Sequence, residues 1–142
     1  MDQVRMRNVG LTLLFALVPL FACGEDNGVE VTDQDFTGSY TLVSFSQGTA
    51  AGVTQIPGAT GTMTLTATTY QASLTIPPLP TVNDQGTYTA QGTETSGTWS
   101  QQSSVDVNLQ YAGTYTWDPV SERLTLDTTA QAVRTVIVVQ KN

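Results

Sequence analysis

The chain has 142 residues, no histidine, one cysteine and a formal net charge of −7. Without an imidazole it cannot build Ser-His-Asp or Cys-His catalysis or a His-ligated zinc or copper site, and a lone cysteine cannot form an internal disulfide. Five basic residues against twelve acidic ones argue against nucleic acid or anionic headgroups as partners.

In chain order, Arg5 and Arg7 precede an apolar run from Val9 to Ala22 that contains Pro19. The run falls short of the ~20 residues that cross a bilayer, and a proline near its end breaks a spanning helix. A basic start, a short apolar centre and a small residue before Cys23 have the layout of a secretory signal. Leu20, Ala22 and Cys23 resemble the cleavage box of bacterial lipoproteins, with Phe21 bulkier than usual at its position. The resemblance implies that residues 1–22 are a removed signal peptide and that the Cys23 thiol carries lipid, with palmitate among its acyl chains. It also implies a protein anchored in the bacterial cell envelope, with Gly24 favouring the outer membrane. Each buried methylene contributes about 0.8 kcal/mol, so two or more acyl chains hold firmly. Lipidation also removes a lone reactive thiol from a secreted protein. From Gly24 to Asp35 the chain is polar and acidic, which predicts that residues 23–35 form a flexible tether. Its carboxylates lack calcium-loop spacing.

From Phe36 onward alternation replaces any helical period. Met63 and Leu65 alternate with threonines, and Tyr70, Ala72, Leu74 and Ile76 alternate with polar residues, so Gly61–Ala67 and Thr69–Ile76 are predicted to form a hairpin. Val105, Val107, Leu109 and Tyr111 alternate with polar residues, which predicts a strand over Val105–Tyr111. Asp118–Glu122 reads as a turn before the strand that carries Leu124 and Leu126. Ala132–Gln140 is apolar on both faces and is expected mid-sheet or at the closure of a barrel. A Gly-x-aromatic unit recurs at Gly38–Tyr40, Gly86–Tyr88, Gly97–Trp99 and Gly113–Tyr115, read as strand starts that send an aromatic inward. Two longer connections are expected, Gln47–Thr60 and Pro77–Gln85. The domain at 36–142 is therefore all-β. About eight or nine short antiparallel strands with no covering helix must close into a barrel or split into a β-sandwich.

Gly38-Ser39-Tyr40, the meandering hairpins, the repeated Gly-Thr-Tyr units and the apolar last strand resemble a lipocalin-like domain of the short bacterial lipoprotein type, over roughly residues 36–141. A full lipocalin has Trp where Tyr40 stands, a Thr-Asp-Tyr loop motif and a helix after the barrel, and the last two are absent here. The resemblance implies an antiparallel up-and-down barrel of about eight strands rather than the alternative β-sandwich, and carriage of a small hydrophobic ligand, such as a fatty acid or lipid fragment. It offers Arg134 as the basic residue stacked over the first-strand aromatic, against the simpler reading of a surface arginine.

Candidate ligand-binding residues are Tyr40, Tyr88, Trp99, Tyr115 and Trp117, which supply either an apolar pocket wall with polar tips or simply core. The carboxylates Asp84, Glu94, Asp106, Asp118, Glu122 and Asp127 fall in turns or on polar strand faces. No catalytic site, metal site or cofactor is expected, and the chain is read as a non-enzyme. The second functional class is a membrane-tethered structural or protein-interaction module with a filled core, contacting an envelope partner through loops near Ile56 or Leu79.

Overall fold

The computed structural model describes residues 31–142. Cys23, the expected signal segment 1–22 and most of the expected tether lie outside the described residues. Ten strands follow one another: β1 (Thr32–Asp33), β2 (Gly38–Thr49), β3 (Gly52–Gln55), β4 (Thr60–Leu65), β5 (Thr69–Thr75), β6 (Val82–Gly92), β7 (Ser96–Ser103), β8 (Gln110–Asp118), β9 (Arg123–Ala130) and β10 (Val133–Lys141). Among the described residues there is no helix.

Eight of these strands, β2, β4, β5, β6, β7, β8, β9 and β10, each pair antiparallel with the next, and β10 returns to β2. The result is a closed up-and-down barrel, one of the two architectures that the alternation leaves open, and not a sandwich. Closure satisfies the backbone groups that an open sheet would leave at its two edges. The apolar last strand is the closing element, flanked by β2 and β9. The predicted hairpin is β4 and β5, in register from Thr60↔Thr75 to Leu65↔Tyr70.

The two remaining strands extend the wall. β3 folds back on the distal half of β2, pairing Ser46 with Gln55 and Thr49 with Gly52, while β4 takes the proximal half of the same edge. The segment expected as a long loop from Gln47 to Thr60 thus contains the end of β2 and all of β3. β1 sets Thr32 opposite Gly92 and Asp33 opposite Gln91, so two residues of the expected tether are strand. Against β10, Leu42 lies opposite Val139 and Ser44 opposite Val138, which leaves Val43 as an extra residue. Such a bulge lets Leu42 and Phe45 both face inward although they are an odd number apart.

Three further expectations are corrected. Val105–Tyr111 is not a strand: β7 ends at Ser103, β8 begins at Gln110, and Val105 and Val107 are exposed. Hydrogen bonds bend this stretch into a turn. Ser103 Oγ accepts from the backbone N–H groups of Val105 and Asp106, and Asp106 Oδ1 accepts from that of Asn108. Gly86 and Gly113 stand inside β6 and β8, not at strand starts. A Cβ on Gly113 would collide with the Asp127 carbonyl of the neighbouring strand, so this glycine lets two walls of a narrow barrel approach. The proline-rich excursion after β5 is also shorter than expected, because β6 already begins at Val82.

Candidate functional site

Strand direction gives the barrel two unlike ends. Thr66–Thr68, Thr93–Thr95, Pro119–Glu122 and the approach to β2 lie at one end. The β2–β3–β4 connections, Ile76–Thr81, Ser104–Leu109 and Gln131–Ala132 lie at the other. Inward side chains shrink along several strands from the first end to the second. On β7 the series is Trp99, Gln101, Ser103; on β9 it is Leu124, Leu126, Thr128, Ala130. Large rings fill one half, and smaller groups leave space in the other.

The filled half contains the aromatic residues singled out in the sequence. Tyr40, Tyr88, Trp99 and Tyr115 are buried, and Trp117 packs partly buried against them. Phe36, just ahead of β2, enters this end as a plug. Its ring lies 5.0 Å from Tyr115 in an edge-on contact, 6.0 Å from Trp117 and 6.4 Å from Trp99, centroid to centroid. Tyr88 stacks on Trp99 at 4.5 Å. Each phenol is tied to backbone at the same end: Tyr40 donates to the Phe36 carbonyl at 2.7 Å, Tyr88 to that of Thr66 at 2.7 Å, and Tyr115 to that of Thr93. Burial raises the pKa of all three, that of Tyr40 to about 12. None of the five expected ligand-binding residues, Tyr40, Tyr88, Trp99, Tyr115 and Trp117, lines the cavity of the other half.

That cavity has a volume of about 280 Å³. Leu42, Phe45, Met63, Leu74, Ile76, Leu126 and Ile137 form most of its wall, with Gln47, Gln101, Tyr111, Thr128 and Thr135 as polar points. Thr128 and Thr135 face each other across the β9–β10 pair and are both buried. Burial also raises the Tyr111 pKa, with further upward contributions from Asp84 and Asp106.

Asp84 is the carboxylate of this cavity. It shares the inward row of β6 with Tyr88 and Ala90, which corrects the expectation of a polar-face residue. It accepts hydrogen bonds from Tyr70 Oη at 2.8 Å, from the Gln85 backbone N–H at 2.9 Å and from Ser103 Oγ. Burial, with the bond to Asp84 second, pushes the Tyr70 pKa up. Ser103 is also the residue that holds the Val105–Asp106 turn, so one network joins the cavity wall to the loop at its mouth.

The other carboxylates serve elsewhere. Asp118 accepts from the Val120 and Ser121 backbone N–H groups and from Ser121 Oγ, as a turn residue does. Asp127 forms a two-pronged pair with Arg134, at 2.8 Å from Nε and 2.6 Å from Nη2. Arg134 therefore does not stack over Tyr40; it is the surface arginine of the simpler reading. The hydrogen bonds from Arg134 hold the Asp127 pKa below the usual carboxylate value.

Alternation identified the inward rows but not where along them the barrel is empty. The signal that finds the cavity is the fall in side-chain size along the β7 and β9 rows, which needs the strand register to be seen. No protein-family model matches the chain, and no match is found among curated proteins or solved structures.

Proposed function

We propose that this protein is an envelope lipoprotein whose barrel binds a small, mostly apolar molecule. The cavity of about 280 Å³ at one end of the barrel carries the reading, because its wall is largely aliphatic with a few polar groups. Binding sites for small molecules have this composition, and the mouth of a β-barrel is a common place for them. At roughly 30 Å³ per water-sized group, the space suits about nine heavy-atom groups, which is a short chain or a single ring system. Leu20, Ala22 and Cys23 support attachment of lipid at Cys23 and localisation at the membrane.

Native mass spectrometry of residues 24–142, exported to a bacterial envelope without the lipid-bearing cysteine and purified without detergent, tests the carrier reading. A small-molecule adduct is expected, removed by organic extraction and absent from Ala72→Trp, whose indole would occupy the cavity. An apo mass that takes up nothing from a lipid extract overturns it. Metabolic labelling with a palmitate analogue, lost in Cys23→Ser, tests the anchor.

A second reading, a tethered interaction module, draws on the apolar rim of the same end. Leu79, Val82, Val105 and Val107 are all exposed there. Cross-linking from Val107 to an envelope protein in cells, together with a cavity that takes up no ligand, would favour it.

A further inference from the structure

The charge arrangement around the cavity restricts what it can hold. The described residues include three cations, Arg123, Arg134 and Lys141, and none lines the cavity. Arg134 is engaged by Asp127, Arg123 Nε donates to Gln140 Oε1, and Lys141 lies beside Gly38 at the filled end. The charged group in the cavity wall is Asp84. A carboxylate has about four acceptor positions. Tyr70, Gln85 and Ser103 occupy three of them, two on Oδ1 and one on Oδ2. One position on Oδ2 is left, and both side-chain hydroxyls that reach Asp84 already spend their proton on it. A ligand anion would meet this charge with no cation nearby to offset it. Like charges a few ångströms apart, at the effective dielectric of a partly buried site, cost more than a tenfold factor in affinity.

We infer that the cavity selects an apolar molecule that ends in a hydrogen-bond donor, a hydroxyl or an amine, and that it discriminates against carboxylates, with Asp84 as the acceptor. The inference rests on the carrier reading and narrows its ligand class away from the fatty acid that the resemblance implies. The donor end of the ligand reaches Asp84 between β5 and β7, while its apolar part lies against Leu42, Phe45, Leu126 and Ile137 on the opposite wall. Hydrogen bonds to charged groups are the stronger kind, so the donor gains here what the anion loses.

The test is isothermal titration calorimetry of the full chain carrying Cys23→Ser, purified without detergent, with 1-octanol, octylamine and octanoate. These three share one apolar chain and differ at the end. 1-Octanol and octylamine are expected to bind at least about tenfold more tightly than octanoate. In Asp84→Asn, octylamine is expected to weaken and octanoate to come within about threefold of 1-octanol, because the charge is gone while the side-chain shape is kept. Octanoate binding as tightly as 1-octanol in the unaltered cavity overturns the donor rule and leaves the carrier reading standing. No heat or shift from any of the three, in a protein with native near-ultraviolet dichroism, overturns the carrier reading itself. If Asp84→Asn does not fold, the ranking of the three compounds in the parent protein decides the matter alone.

Discussion

All five tyrosines have their pKa raised, burial being the first cause in each. That makes the interior sensitive to alkali in a defined direction. An unfolded tyrosine loses its proton near pH 10. Tyr40 in the fold holds its proton up to about 12. Between those values the unfolded chain binds fewer protons than the folded one, so stability is fully present below about pH 10 and falls as pH rises toward 12. The urea midpoint is expected to be level from pH 7 to about 9 and to drop above 10, with phenolate absorbance appearing together with unfolding. A midpoint unchanged through pH 11 would contradict this. The inward aromatics were legible in the sequence because a Gly-x-aromatic unit in an alternating strand fixes both face and spacing. Asp84 was not, because its neighbours Asn83 and Gln85 are also polar and the alternation is blank at that point.

At the scale of elements, hydrogen-bonding side chains overrode hydrophobic pattern where the two conflicted. Val105, Val107 and Leu109 alternate like a strand, yet Ser103 and Asp106 bend the backbone into a turn and leave both valines in solvent. Short polar side chains next to a strand end offer the backbone an alternative to the ladder. The connection between β9 and β10 presents the opposite problem. Ala130 and Val133 pair directly, and the two residues between them, Gln131 and Ala132, have φ of 49° and 66°. A two-residue turn with both central residues in the left-handed region normally carries Asn-Gly. Gln-Ala gave no such signal, so nothing in the sequence marked the turn. The double variant Gln131→Asn/Ala132→Gly is expected to relieve strain of about 1 kcal/mol and raise Tm by about 4 °C, measured by thermal melting. A lower Tm would mean that the native side chains are held there by contacts worth more than the strain.

For the molecule as a whole, the aromatic plug divides one barrel into a filled part and a part that leaves a cavity. Phe36 belongs to no strand but contacts Trp99, Tyr115 and Trp117, and its carbonyl receives the Tyr40 hydroxyl. Phe36→Ala leaves a hole among these rings and is expected to cost about 3 kcal/mol. Denaturant titration followed by tryptophan emission reads this loss, because both tryptophans of the chain, Trp99 and Trp117, touch that ring. Ligand affinity at the far cavity should change little. A loss of binding equal to the loss of stability would show that the two halves are not independent. The all-β class followed from the alternation, which left barrel or sandwich open, and left the last strand either mid-sheet or closing. The division of the interior did not, since it depends on which end of each strand is up.

Where the chain enters this barrel has a consequence for traffic. Thr32 and Asp33 pair with the end of β6 beside the plug, and the backbone N–H of the last residue, Asn142, donates to the Ser39 carbonyl at the same end. The first and the last of the described residues therefore lie at the stoppered base. On the lipoprotein proposal, eight residues separate Cys23 from Thr32 in the chain, so attachment is on the side of the stoppered base and the cavity opens at the end away from it. That arrangement would favour exchange of a bound molecule with the aqueous phase over its uptake from the bilayer that holds the protein.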